Sequence, residues 1–181
     1  IAIFRLNQSV MNSAGSLALL PLYILFTSSL PWFFINQQYL LPAVYSIIFA
    51  LSLWHVYQNK ISLANLFGFR KKKLFRYLLM GLAIGIILGT VEYLVLRPSP
   101  TFPTFEITYF LRDLVYMVLF VGLAEEFLFR GLLQRDLMST FGDKRGIALA
   151  SLVFAVMHLS WRSIPELIFV FVAGALMGVI Y

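Results

Sequence analysis

Six apolar stretches, separated by short polar, proline-bearing or charged connections, limit what this chain can fold into. A helix needs about 20 apolar residues to cross a bilayer. The stretches run roughly Met11 to Ile35, Tyr39 to Tyr57, Leu74 to Leu96, Ile107 to Leu137, Gly146 to Leu159, and from Ile164 onward. The first contains Pro21 and ends near Pro31, the fourth is long enough to tilt or protrude, and the fifth is short enough to be partly enclosed by protein. Composition agrees: 61% of residues are hydrophobic and 12% charged. Soluble domains average about half apolar and about a quarter charged. The expected fold is therefore all-α, a multi-pass transmembrane helical bundle of about six spans, forming a single integral membrane domain over residues 1–181.

The connections and their charge orient the bundle. "RPSPTFPTF" (Arg97 to Phe105) must be a loop, because proline cannot donate a backbone hydrogen bond. "STFGDKRG" (Ser139 to Gly146) reads as a polar turn, and "SWRSIPE" (Ser160 to Glu166) separates the last two spans. Lys60, the run "FRKKKLFR" (Phe69 to Arg76), Arg135, Lys144 and Arg145 all fall on one side. The positive-inside rule makes that side cytoplasmic, in a cell membrane, with the N-terminus beside it. The net charge of +6 reflects this juxtamembrane patch, which points to lipid headgroups as partners and not to nucleic acid. With no cysteine, disulfides, thiolate metal sites and thiol catalysis are excluded. Gly81, Gly85 and Gly89, and again Gly174 and Gly178, recur every four residues, a spacing that lets helix backbones approach closely in lipid.

"GLAEEFLFRGLL" (Gly122 to Leu133) breaks the apolar pattern. Glu125, Glu126 and Arg130 lie deep in the fourth span, where each charge costs about 2.5 to 3.5 kcal/mol on an insertion scale. They must face protein or a wet cavity. Glu126 and Arg130 are four apart, share a face and can pair. Glu125 is about 100° around the helix from Glu126, which leaves it the free carboxylate, suited to general-base work. His158 ends "FAVMH" (Phe154 to His158) on the fifth span. At 1.5 Å per residue, Glu125 stands about 16 Å above Asp136 and His158 about 18 Å above Gly146, so both reach one depth on adjacent antiparallel spans. Such a pair fits water activation, and equally polar contact between helices with a proton relay. His55, beside Trp54 and Tyr57, fits an interfacial anchor.

"EEFLFR" (Glu125 to Arg130), followed by Gly131, resembles the EExxxR signature of the CAAX prenyl endopeptidase and bacteriocin-processing (CPBP, Abi) family of intramembrane proteases. "FAVMH" is similar to the FxxxH signature of that family, in the same order on the next helix. The resemblance spans about Phe120 to Tyr181, with a protease-like core expected over about residues 74–181. It implies that Glu125 and His158 activate water against a peptide bond, while Glu126, Arg130 and Phe154 support the site. The substrate it implies is a membrane-associated peptide or protein, prenylated in some members. No cofactor is expected: one histidine and two carboxylates, one of them paired to arginine, make a poor zinc set beside the usual three protein ligands. The family carries a further histidine, followed four residues later by Asn or Asp, that stabilises an oxyanion. No histidine follows His158, so the C-terminal part of the family core is expected to be missing. Two other readings compete: a non-catalytic immunity or scaffold protein of the same fold, and a proton-linked transporter, for which no inverted repeat is evident.

Overall fold

The structure, a computed structural model, describes residues 2–27, 35–63, 66, 74–97, 104–159 and 163–181, and it is helical with no strand among them. Among the described residues seven helices follow in order: α1 (Ala2–Leu17), α2 (Leu19–Thr27), α3 (Gln37–Gln58), α4 (Leu74–Leu96), α5 (Ile107–Phe141), α6 (Asp143–Met157) and α7 (Ile164–Ile180). Three have the length and apolar content to cross a membrane: Gln38–Gln58, Phe75–Leu96 and Ile107–Phe141. Val10–Leu25 and Ile164–Ile180 are shorter apolar helices. The multi-pass helical bundle is thus as expected. The basic run at residues 69–73, the proline-rich residues 98–103, Pro31 and residues 160–162 lie outside the described residues.

The first span is not one rod. It divides at Ala18, between α1 and α2. Pro21 explains the break, since its ring removes a donor and crowds the carbonyl four residues earlier. α3 keeps Pro42 inside its length and is capped at Asn36, whose side chain accepts from the Gln38 backbone N–H at 3.2 Å. Ser163 caps α7 in the same way, accepting from the Glu166 N–H at 3.3 Å, with Pro165 in the first turn.

α5 is the axis of the bundle. α3 lies along its middle, α1 packs on its last turns, and α6 folds back against it. Leu128, Phe129, Leu132 and Leu133 on α5 are almost fully buried. Leu128, Phe129 and Leu133 cluster with Leu20 and Tyr23 of α2, Val44 and Ile48 of α3, and Ala150 of α6, while Leu132 joins a second cluster with Phe127 and with Val56 of α3. In lipid, such contacts stabilise by close packing more than by escape from water.

The turn between α5 and α6 corrects the polar loop expected at Ser139 to Gly146. Ser139, Thr140 and Phe141 stay helical. The Ser139 and Thr140 hydroxyls donate back to the Asp136 carbonyl, at 2.7 and 3.0 Å. The reversal falls on Gly142 alone, at φ 81°, a left-handed value that glycine adopts without a Cβ penalty. Gly146 then passes so near α5 that a Cβ would sit 2.5 Å from Met138 Cα and N.

The glycine ladders divide. Gly174 packs against Phe154 and Ser151, and Gly178 against Gln134 and Ile147. A Cβ at Gly81, Gly85 or Gly89 would meet nothing within 4 Å among the described residues. No close helix contact forms there among the described residues, where α4 stands at the side of the bundle, touching α7, with its large side chains turned outward.

Candidate active site

The segment carrying the charges is not a regular α-helix. α5 widens into π-helix at Tyr116–Gly122, returns to α for Leu123–Glu125, and widens again over Glu126–Gln134. The Leu123 N–H reaches back five residues to the Val118 carbonyl. Short π insertions cluster at functional sites because they re-aim side chains that a regular helix would point elsewhere. Glu125 closes the single α turn between the two stretches and is half-buried, while Glu126 starts the second stretch and is exposed.

Glu125 is not the free carboxylate the spacing suggested. Tyr23 of α2 donates its hydroxyl to Glu125 Oε1 at 2.7 Å, and Tyr45 of α3 donates to the same oxygen at 3.1 Å. The two phenol oxygens are 3.5 Å apart. Tyr23 is 4% exposed, and its ring stands edge-on to Phe129 with centroids 5.5 Å apart. One carboxylate oxygen is therefore engaged twice, while Oε2 receives no hydrogen bond among the described residues. Phenol-to-carboxylate bonds are charge-assisted, short and strong compared with neutral ones.

Glu126 and Arg130 pair across one turn, with Arg130 Nη1 3.2 Å from Glu126 Oε1. The partners are unequal: the Arg130 side chain is 5% exposed and that of Glu126 46%. Nη1 is buried and lacks an aligned hydrogen bond, so this contact is electrostatic. The Arg130 guanidinium also lies over the Phe154 ring, 4.2 Å from its centre. Cation–π contacts reach about 2 kcal/mol when water is excluded.

His158 follows the last turn of α6 as its C-cap. Its ring packs against Phe154 at 4.7 Å, and Phe154 packs on Phe129 at 4.9 Å. Nδ1 is 2.9 Å from the Phe154 carbonyl. A carbonyl only accepts, so Nδ1 carries the hydrogen there and Nε2 keeps the lone pair in the neutral ring. Glu125 and His158 share no direct hydrogen bond among the described residues. A chain of rings, Tyr23, Phe129, Phe154 and His158, runs from one to the other.

Several polar residues near this core escaped the sequence reading. Tyr23 and Tyr45 gave no signal among many aromatics. Glu92 of α4 and Glu166 of α7 lie within electrostatic reach of each other, and His158 of Glu92. An isolated glutamate inside an apolar span was the available clue to Glu92. Asp136, 2% exposed, forms a second polar knot. Its Oδ2 accepts from Ser16 of α1 at 2.5 Å, and its Oδ1 accepts from Arg135 Nη2 at 2.6 Å. The Asp136 carbonyl accepts from Ser13 at 3.0 Å, which ties α1 to α5 twice. His55 lies beside this knot: its Cε1 would be 2.8 Å from a Cβ at Gly15, and Asn59 Nδ2 is 3.4 Å from its ring nitrogens. It is half-buried between α1 and α3, while its neighbours Trp54 and Tyr57 are exposed.

Among the described residues, no three His, Asp or Glu side chains converge as a metal site would require. The donor set at Glu125 is one carboxylate and two phenols. No curated protein and no solved structure matches the chain. Residues 107–181, which hold Glu125, Glu126, Arg130, Phe154 and His158, match the family model for the type II CAAX prenyl endopeptidase Rce1-like proteins, and over that segment the chain is similar to CAAX-protease-like membrane proteins.

Proposed function

We propose that this protein is an intramembrane endopeptidase that hydrolyses a peptide bond of a membrane-associated or prenylated peptide. The observation that carries the reading is the state of Glu125. It sits mid-span in the segment that matches the family, with Oε1 held by two phenols and Oε2 left to accept a proton. In the proposed reaction a water oxygen attacks the scissile carbonyl carbon while its proton passes to Glu125 Oε2. As the carbon–nitrogen bond breaks, that proton moves to the leaving amine. His158, with Nδ1 tied to Phe154, presents Nε2 as an acceptor for the same water. Glu126 and Arg130 hold the local charge balance, and Phe154 bridges Arg130 to His158. Positioned general bases contribute about 10²- to 10⁴-fold.

The test compares cleavage of a prenylated peptide ending in a CAAX sequence with cleavage of the unprenylated peptide, by the full chain in liposomes. Glu125→Gln and His158→Ala should each lower turnover by at least about a hundredfold at matched folded protein. A chelator should leave the wild-type rate unchanged. Cleavage that persists in both variants, or a wild type that cleaves neither peptide, would overturn the reading.

A further inference from the structure

The first two apolar spans lie outside the segment that matches the family, yet they supply the two groups that touch the deep carboxylate. We infer that Tyr23 and Tyr45 are positioning residues for Glu125: together they pin Oε1, fix the plane of the carboxylate, and reserve Oε2 for the reacting water. The inference rests on the proposed hydrolysis for its catalytic meaning, but its geometry stands apart from it.

Three features favour positioning over simple polar contact between helices. Both donors converge on one oxygen instead of sharing the carboxylate, so the group cannot rotate without losing both bonds. The donors come from two separate helices, α2 and α3, and so hold Glu125 from two directions. Tyr23 is itself locked, buried at 4% exposure and set edge-on against both Tyr45 and Phe129. A catalytic group must be held within a fraction of an ångström by neighbours whose own rotamers are fixed. Phe129 also touches Phe154, which touches His158, so the residue that orients Glu125 packs into the ring chain that ends at His158. α2 and α3 are part of the site, not a membrane anchor appended to it.

The decisive variants are Tyr23→Phe and Tyr45→Phe, which keep the ring contacts and remove the hydroxyl alone. The full chain is examined in one detergent by thermal unfolding, with and without Glu125→Ala. Each tyrosine substitution should lower the midpoint by about 5 °C in the wild-type background and by about 1 °C or less with Glu125→Ala. On a cleavable prenylated peptide, the double variant should lower kcat at least tenfold and leave KM within twofold. Equal midpoint shifts in the two backgrounds would overturn the inference, whatever the activity. Thermal coupling with unchanged kcat would overturn the positioning role. Thermal coupling in a chain that cleaves no peptide would uphold the pinning of Glu125 while removing the proposed hydrolysis.

Discussion

Glu126→Gln should destabilise this protein more than removing its buried partner does. The spacing alone suggests the reverse, that losing Arg130 strands Glu126 in a low dielectric. The structure makes Arg130 the enclosed member, at 5% exposure against 46% for Glu126. Its Nη1 has no aligned hydrogen bond, and the Phe154 ring is its other electrostatic contact. Removing one partner of a fully buried pair costs about 3 to 5 kcal/mol. An exposed pair is worth about 0 to 1 kcal/mol. With one partner buried and the other half-exposed, Glu126→Gln should cost about 2 kcal/mol. For a chain of this size that is about 4 to 8 °C in the unfolding midpoint. Arg130→Met takes the charge away, keeps most of the length and sets a thioether on the Phe154 ring, so it should cost less than about 1 kcal/mol. Combining the two should return the midpoint to that of Arg130→Met. Thermal unfolding of the four proteins in one detergent measures all of this. A neutral Glu126→Gln beside a severe Arg130→Met would refute the reasoning, because the stem and ring packing of Arg130 would then outweigh its charge.

Two further substitutions probe what holds the site in place. Gly146→Ala places a Cβ 2.5 Å from backbone atoms of Met138, so the α5–α6 hairpin must open, at about 1 to 3 kcal/mol; Met138→Ala should not restore the midpoint. Asp136→Asn weakens the charged end of the knot to Ser16 and Arg135, at about 1 to 2 kcal/mol, and should speed hydrogen exchange along α1 before it does so along α6.

The parts of the site that follow helical spacing could be read from the sequence. Glu126 and Arg130 pair at four residues, "FAVMH" puts Phe154 and His158 on one face, and apolar length located the spans. What could not be read depends on contacts between distant helices. A tyrosine in a greasy span looks the same whether it faces lipid or donates to a carboxylate, so Tyr23 and Tyr45 were invisible. The π stretches leave no composition mark, yet they set where Glu125 and Glu126 point. Ser139 and Thr140 resemble turn residues, but both bond back to Asp136 and extend the helix. The Gly81, Gly85 and Gly89 spacing permits a close contact without creating one.

The separation between the two tyrosines and Glu125 sets an order of events during synthesis. Tyr23 precedes Glu125 by 102 residues and Tyr45 by 80. At about 5 to 20 residues per second, both phenols emerge on the order of ten seconds before the carboxylate. The span richest in charged residues is therefore inserted late, beside earlier helices that already display two donors for its charge. The partners of Glu125 are waiting when it arrives, and its hydrogen-bonded cluster is not assembled until the fourth span has joined the first two.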